Sequence, residues 1–299
     1  MLNQTPMISC CITSYRHLDG IYKSIDSIIM QDYPQIELAV FDDGTEQFPI
    51  DKIIDYINNH KGENIKNVIV HTNESNVGTV RNLNGLLAAV QGEYIIEIGA
   101  DDELYNSSTC ERIVKGFFDS KADILTSYRT KKKDGRLYGI TPSKSNASIF
   151  AKANAGEQFK WIAMGAPLAG AGTYYRRAFL KRIGGFDEEY RLQEDGPIFL
   201  HATREGTKIH FLEEVTFVYA QGEGVSSGEK NNPILMQDVK KMFEKEIFPY
   251  LERFSLIEKR RVKYGYERAL LDEEISFEKR LKLFLKYIDV YFYRRKFTK

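Results

Sequence analysis

A mainly apolar run ends in two adjacent carboxylates at Ile95-Ile96-Glu97-Ile98-Gly99-Ala100-Asp101-Asp102. A short apolar run that ends in small residues is typical of a buried strand. If the strand stops at Gly99, the two aspartates follow its carboxyl end, which is the edge where open α/β sheets bind ligands. Two interpretations fit the pair: a polar turn that closes the strand, or an anchor for a divalent cation and a substrate phosphate, since Mg²⁺ prefers carboxylate oxygens.

Strand and helix patterns alternate on the amino-terminal side of this run. Apolar runs predict strands over 7–13, 36–41, 68–71 and 94–98, and apolar residues at helical spacing predict helices over 18–30, 50–59 and 76–90. Strands that alternate with helices favour parallel pairing, with helices on both faces of the sheet. The fold class is therefore predicted as α/β, with a Rossmann-like, doubly wound and mostly parallel sheet.

The chain continues beyond the two aspartates with less regular patterns. They predict a helix over 107–118, a hairpin of 124–130 with 136–140, loops over 143–172, helices over 176–183 and 197–204, and a strand over 208–220. Long charged helical segments follow Gly228. We therefore predict a catalytic domain at 1–228 and a helical C-terminal extension at 229–299.

Composition narrows the class of protein. The 299 residues include 42 basic and 42 acidic side chains, so no excess of positive charge indicates a nucleic-acid partner. Three cysteines make no disulfide framework, as expected in a reducing compartment. The sequence lacks a secretion-type amino terminus and any run of about 18 apolar residues, so we expect a cytoplasmic protein without a transmembrane helix.

Five short motifs follow one another in a fixed order. They are Thr13-Ser14-Tyr15, the segment from Gln31-Asp32-Tyr33-Pro34 to Asp42-Asp43-Gly44-Thr45, Asn76-Val77-Gly78-Thr79-Val80-Arg81-Asn82, Ala100-Asp101-Asp102 and Glu194-Asp195. This set resembles family 2 of the nucleotide-sugar glycosyltransferases, the inverting enzymes with a GT-A fold, over roughly residues 7–227. Each motif alone is weak evidence, whereas all five in this order are specific.

The resemblance implies a nucleotide-sugar site built from the first four motifs. Thr13 ends the first predicted strand and Tyr15 lies just past it, where the matching aromatic ring of the family stacks on the base. The carboxylate that matches Asp43 accepts the imide N–H of uracil or thymine, and the arginine that matches Arg81 faces the nucleotide. Asp101 would contact the sugar or the ribose. From the residues alone, Tyr15 also fits a ring over the sheet edge, Asp43 a turn, and Arg81 a surface ion pair.

The same resemblance implies a metal site and a catalytic base. Asp102 would bind Mg²⁺ or Mn²⁺, which neutralises the departing diphosphate. Asp195 would accept the proton of the attacking acceptor hydroxyl, and Glu194 would orient the site. Locally, an acid at this place also fits the N-cap of the following helix. Many relatives carry a third acid near the metal, at a position that is Gly99 here.

A second departure from the family lies at Tyr219-Ala220-Gln221-Gly222-Glu223-Gly224-Val225-Ser226. Many relatives carry Arg and His in this loop, where the present chain has Ala220 and Gly222. Either the loop acts through its backbone, or other cations meet the phosphate charge. Three basic residues are candidates for that charge: Arg176, Arg177 and Lys181.

The C-terminal extension ends in a basic, amphipathic segment. Residues 278–299 contain eight basic and two acidic side chains. Six apolar residues share one helical face: Phe277, Leu281, Phe284, Leu285, Ile288 and Phe292. Such a helix either lies on an anionic membrane surface or packs on the catalytic domain with its basic face in water. Peripheral contact of residues 277–299 with the inner face of the cell membrane would suit a polyprenyl-linked acceptor.

These observations together predict a metal-dependent inverting glycosyltransferase. As the resemblance implies, it would move a sugar from a UDP-sugar, in preference to a dTDP-sugar, to a glycan or lipid-linked glycan in surface-polysaccharide synthesis. Two other functions stay open: a nucleotidyltransferase, which also uses an Asp-rich sheet edge, and a non-catalytic binding module for sugar nucleotides or glycans. A nucleotidyltransferase would need a Gly-rich basic loop after the first strand, which Thr13-Ser14-Tyr15-Arg16 lacks.

Overall fold

The structure is a computed structural model that describes residues 5–16, 18–133, 135–166, 168–220, 232–271 and 276–290. Its strands are β1 (Ile8–Ser14), β2 (Ile36–Asp42), β3 (Ile65–Thr72), β4 (Tyr94–Gly99), β5 (Glu103–Leu104), β6 (Ile124–Lys133), β7 (Arg136–Thr141), β8 (Thr173–Arg176) and β9 (Ile209–Ala220). Its α-helices are α1 (Ile21–Ile29), α2 (Ile50–His60), α3 (Thr79–Ala89), α4 (Thr109–Ser120), α5 (Lys144–Lys152), α6 (Ala155–Ala163), α7 (Arg177–Ile183), α8 (Asp195–Arg204), α9 (Pro233–Met242), α10 (Leu256–Ala269) and α11 (Phe277–Lys286). A π-helical turn at Phe243–Ile247 and a 3₁₀ turn at Phe248–Arg253 connect α9 to the next helix.

The described strands form one sheet in the order β3-β2-β1-β4-β8-β6-β9-β5, with β7 paired to β6. β1 lies parallel to β2 and β4, and β2 lies parallel to β3. The register places Thr13 beside both Phe41 and Gly99, so the three strands end in one row. The predicted parallel α/β sheet is confirmed over this half, and the loops after β1, β2 and β4 meet at one edge.

The second half of the sheet is mixed. β8 runs antiparallel to β4 and β6, and β5 runs antiparallel to β9, whereas β6 and β9 are parallel. β6 and β7 form the predicted antiparallel hairpin. The pairing of β5 with β9 matters most for the site, because β5 directly follows the two aspartates and its Glu103 lies beside Val218, near the carboxyl end of β9.

Residues 143–172 form the predicted loops only in part, at 164–166 and 168–172. They contain α5 and α6, each with a side-chain N-cap: Ser143 accepts a hydrogen bond from the backbone of Asn146, and Asn154 forms a capping box with Glu157. The short helices are stabilised by these caps and by burial of Phe150 and other apolar residues. Two helices of nine residues each give too few turns for a clear periodic pattern.

Helices cover both faces of the parallel half of the sheet. Cys10 packs in a cluster with α1, and its neighbour Cys11 packs with α3 in a separate cluster, since successive strand residues point to opposite faces. All residues of β2 are buried. The core therefore holds the strands rigidly while leaving their carboxyl ends open to ligands.

The C-terminal segment shares a core with the catalytic part of the chain. Phe243, Ile247 and Val262 pack with Phe159 of α6 and Leu200 of α8. The predicted boundary at Gly228 lies outside the described residues. No helix within the described ranges combines the length and the apolar character needed to cross a bilayer.

A buried ion pair joins α8 to this segment and provides a test of the packing. Arg204 and Glu246 lie 2.5 Å apart, with side chains 8% and 6% exposed. Replacement of Glu246 by Ala should lower the free energy of unfolding by about 3–5 kcal/mol, because Arg204 loses its buried partner and keeps as acidic partner Glu205, which is 61% exposed. The measurement is a urea denaturation midpoint. In the exposed pair of Lys282 and Glu278, Glu278→Ala should leave that midpoint unchanged, and equal effects would contradict the buried role.

Candidate active site

The turn after β2 is held together by a buried aspartate. The Asp42 carboxylate is fully buried and accepts hydrogen bonds from the Ser14 and Thr72 hydroxyls and from the backbone N–H and hydroxyl of Thr45. It therefore joins the carboxyl ends of β1, β2 and β3. Asp42 thus stabilises the turn after β2.

The Asp43 carboxylate organises the start of α3. It accepts hydrogen bonds from the Asn73 and Asn76 side chains and from the backbone N–H groups of Val77 and Gly78, at 2.9–3.0 Å. Only 3% of Asp43 is exposed. An N–H of a nucleotide base would have to join or displace one of these four donors. The base contact predicted for Asp43 stays a prediction.

Tyr15 and Arg81 occupy different environments. Tyr15 is half-buried just past β1, and the guanidinium of Arg16 lies 4.8 Å from the centre of its ring. Arg81 is 60% exposed and pairs with Glu188 at 3.4 Å. This pair matches the alternative interpretation of Arg81 as a surface residue, so a nucleotide contact would require Arg81 to leave Glu188.

The side chains of Asp101 and Asp102 converge over Gly99. A Cβ atom at residue 99 would lie 3.1 Å from Asp102 Oδ2 and 3.4 Å from Asp101 Oδ1. Asp102 is 6% exposed, and burial raises the pKa of its carboxyl well above the ordinary value. Its Oδ1 accepts a hydrogen bond from the backbone N–H of Ala220 at 2.9 Å.

This pair fits a hard divalent cation. One oxygen of each carboxylate lies within 3.4 Å of the place where a Cβ of residue 99 would be. A cation near this place would relieve the cost of burying the Asp102 charge. The described residues contain no cluster of three or more acidic, His or Cys side chains that could hold a metal alone. The remaining ligands would be water and diphosphate oxygens, which is common for Mg²⁺. A side chain at residue 99 would crowd both oxygens, which gives a physical reason for Gly99.

Glu194 and Asp195 stand at the amino terminus of α8. Asp195 Oδ2 accepts the backbone N–H of Gly170 at 2.9 Å, and its Oδ1 accepts that of Gly196. Glu194 is the N-cap residue, yet its side chain makes no capping hydrogen bond. Its Oε1 lies 3.0 Å from where a Cβ of Gly170 would be. Both acids therefore face the loop before β8.

The sequence interpretation gave no role to Glu97, which the structure places beside these acids. Its Oε1 accepts the Thr13 hydroxyl at 2.7 Å, so this hydroxyl of the predicted sugar-nucleotide site is already engaged. Burial raises the pKa of Glu97, and the charge of Asp195 acts in the same direction. Burial, followed by the charges of Asp195 and Glu97, raises the pKa of Glu194. An acid inside an otherwise apolar strand was the available sequence indication.

A second unpredicted contact comes from α9. The Asp238 carboxylate is 4% exposed and accepts the backbone N–H groups of Arg191, Leu192 and Gln193 at 2.6–3.2 Å. These three residues directly precede Glu194. A carboxylate of the C-terminal segment thus fixes the loop that presents the acidic pair, although nothing in the sequence near residue 238 indicates this.

A comparison with known protein families shows to which family the chain belongs. The sequence profile described as Glycosyl transferase family 2 matches residues 9–184, more than half of the chain. The chain belongs to this family. It is 23% identical over 247 residues to the uncharacterized glycosyltransferase EpsJ of Bacillus subtilis (strain 168), covering 82% of this chain and 70% of that protein.

Solved structures show that this family member has the GT-A fold. S. aureus TarS 1-349 in complex with UDP-GlcNAc aligns with a TM-score of 0.62 at 18% identity, covering 95% of this chain and 79% of that one. The mannosyltransferase PcManGT from Pyrobaculum calidifontis, in complex with GDP-Man and Mn²⁺, aligns with a TM-score of 0.60 at 16% identity, covering 90% and 77%. The predicted family, fold class and glycosyltransferase activity are confirmed, and the two alternative functions are disfavoured.

Two of the three cations proposed from sequence, Arg176 and Arg177, lie away from the edge of the sheet that carries the acids. Arg176 lies beside Tyr94, at the amino end of β4, where it pairs with Glu93. The backbone N–H of Arg177 donates to Glu93 as well. The expectation that these arginines meet phosphate charge is wrong, because the donor edge lies at the opposite end of β4.

A different arginine, Arg129 of β6, lies near the acids. Its Nη1 donates to the backbone oxygen of Ala171 at 3.3 Å. Burial lowers the pKa of Arg129, and the negative charges of Asp195 and Asp102 oppose that shift. The sequence could not single it out, since Arg129 is followed closely by other basic residues in an apparently ordinary hairpin strand.

Removal of the charge of a buried acid should stabilise the folded protein by an amount that depends on pH. The folded-state pKa of Glu194 is raised above its ordinary value of 4.5, so its contribution to stability is complete below that pH and is lost as the pH rises. Glu194→Gln should therefore raise the melting temperature at neutral pH, and the difference from wild type should shrink as the pH approaches 4.5.

Thermal unfolding followed by circular dichroism across this pH range measures the effect. Glu63→Gln, in an exposed loop, is the matched control and should not change the melting temperature. A lower melting temperature for Glu194→Gln at neutral pH would show that the ionised carboxylate stabilises the fold.

Proposed function

We propose that this protein transfers a sugar from a UDP-sugar, in preference to a dTDP-sugar, to a glycan or polyprenyl-linked acceptor with inversion at the anomeric carbon. The observation that carries the proposal is the pairing of Asp101 and Asp102 over Gly99 at the same end of the sheet as Asp195. The choice of UDP is supported by the fold shared with TarS, whose structure is in complex with UDP-GlcNAc. The setting would be synthesis of a surface polysaccharide, at the inner face of the membrane.

The donor would bind along the carboxyl ends of β1, β2 and β4. In this proposal Tyr15 stacks on the base, Asp43 and Arg81 contact the nucleotide, and Asp101 contacts the sugar or ribose. Thr13 lines the floor of the site through its hydrogen bond to Glu97. Asp102 would hold Mn²⁺ or Mg²⁺, and this ion would supply Lewis-acid stabilisation of the diphosphate charge.

Asp195 would act as the general base. Two backbone N–H groups hold its carboxylate in place for this role. It takes the proton of the acceptor hydroxyl while the hydroxyl oxygen bonds to the anomeric carbon and the diphosphate leaves.

Replacement of the base tests this assignment. Asp195→Asn should reduce sugar transfer by about 10²–10⁴-fold while UDP still binds, because the amide cannot accept the proton. Release of UDP from a panel of UDP-sugars, with Mn²⁺ and a glycan acceptor, measures turnover, and calorimetry measures UDP binding. Asp55→Asn on the exposed side of α2 is the control and should keep full activity. Turnover that survives in Asp195→Asn would refute the base assignment.

We propose in addition that α11 places the enzyme on an anionic membrane surface. The apolar stripe of α11 is exposed, with Phe277 80% and Leu285 57% accessible; its other members are Leu281, Phe284 and Ile288. The opposite side of the segment is fixed to α10, where Tyr287 is buried and Arg260 pairs with Asp289. Basic residues flank the stripe, which suits acidic lipid headgroups. The predicted member Phe292 lies outside the described residues.

Vesicle binding tests the membrane proposal. The double variant Leu281→Glu and Phe284→Glu should bind vesicles of anionic lipid at least about tenfold more weakly than wild type, because each side chain contributes apolar burial. The control is Leu256→Glu, which changes an 82% exposed leucine on α10. Equal sedimentation of all three proteins with anionic vesicles, or no binding by wild type, would remove the membrane role.

A further inference from the structure

Arg129 lies between the two loops that hold the acids of the site. Its guanidinium contacts the backbone oxygen of Ala171, next to Gly170, whose N–H holds Asp195. On its other side, Arg129 is in register with Phe217 of β9. Three residues further along, β9 ends at Ala220, whose N–H holds Asp102.

Most N–H donors of the Arg129 guanidinium have no acceptor among the described residues. Among the described residues it forms no ion pair within 4.0 Å, and its one hydrogen bond goes to the neutral oxygen of Ala171. A guanidinium has five N–H donors in a planar fork. A partly desolvated cation without a counter-ion is costly unless an anion joins it. Arg129 is therefore arranged to receive an anionic group from a ligand.

Two other cations near this edge already have partners. Arg81 pairs with Glu188, and Lys132, three residues after Arg129, pairs with Glu103. The acids that face the ligand repel a diphosphate, so a cation is needed beside them. The contact of Arg129 with Ala171 places its guanidinium next to the loop that holds Asp195, and β6 lies beside the end of β9 that holds Asp102.

We propose that Arg129 binds the β-phosphate of the departing nucleoside diphosphate. This inference rests on the proposed function, because it needs a nucleotide-sugar donor at this edge. As the acceptor oxygen bonds to the anomeric carbon, the bond from that carbon to the β-phosphate oxygen breaks and its electron pair stays on the oxygen. The acceptor proton goes to Asp195. The guanidinium donates two N–H groups to the phosphate oxygens and stabilises the negative charge gained there.

A comparison of UDP with UMP isolates the β-phosphate contact. We expect Arg129→Met to bind UDP about tenfold or more weakly in the presence of Mn²⁺, with UMP binding unchanged, since a charge-assisted hydrogen bond is lost only from UDP. Arg129→Lys keeps the charge without the fork and should lie between the two. The kcat of Arg129→Met should fall about 100-fold. Calorimetry on the full chain measures binding, and UDP release measures kcat.

The matched control is Arg182→Met. Arg182 lies on α7, is 59% exposed and pairs with Asp123, so its loss should change neither nucleotide affinity. Thermal melting confirms that each variant is folded, and Arg129→Lys carries the test if Arg129→Met does not fold.

Three results would overturn the proposal without contradicting the proposed UDP donor. Equal weakening of UDP and UMP would show that Arg129 only holds the loop at Ala171. Unchanged UDP binding with weaker binding of a UDP-sugar would place Arg129 on the sugar instead. Unchanged binding of all three ligands would leave it without a ligand contact. If wild type bound neither nucleotide, the proposed UDP donor itself would be refuted, and the inference would fall with it.

Discussion

A single carboxylate, Asp102, joins the two halves of the sheet at the edge where we propose that the donor binds. Its own N–H donates to the oxygen of Gly99, and its Oδ1 accepts the N–H of Ala220 at the end of β9. These bonds connect the turn after the fourth parallel strand to a strand more than a hundred residues later. A buried hydrogen-bonded carboxylate is costly to leave without partners, so this contact fixes the position of β9 against β4.

The acids at this edge lower the stability of the folded state, and the role proposed for them is catalytic. Burial raises the pKa values of Glu97 and Glu194, and the charge of Asp195 acts on both in the same direction, so ionising either acid in the native state is costly. Backbone N–H groups offset part of this cost at Asp195, and Arg129 offsets another part. Perturbed pKa values of this kind are common at sites that bind phosphate and metal and transfer protons.

The sequence predicted the elements whose information is local. Apolar runs and helical spacing identified β1 to β4 and the helices between them, and the acidic motifs after these strands located the edge of the site. β8 was missed because its four residues are defined by pairing with β4 and β6, and α5 and α6 were missed because they are short. The placement of Arg129 depends on the pairing of β6 with β9, which links residues far apart in the chain. No local pattern reports such a contact.

The contact of Asp238 with the loop before Glu194 changes how the C-terminal segment should be understood. Three backbone N–H groups of that loop have their acceptor on α9, and Leu200 of α8 is buried against the same segment. The position of the acidic pair therefore depends on residues outside the part of the chain that carries the family motifs. If Asp195 is the base, as proposed, substitutions in α9 can change its position without changing any residue proposed to contact the substrate.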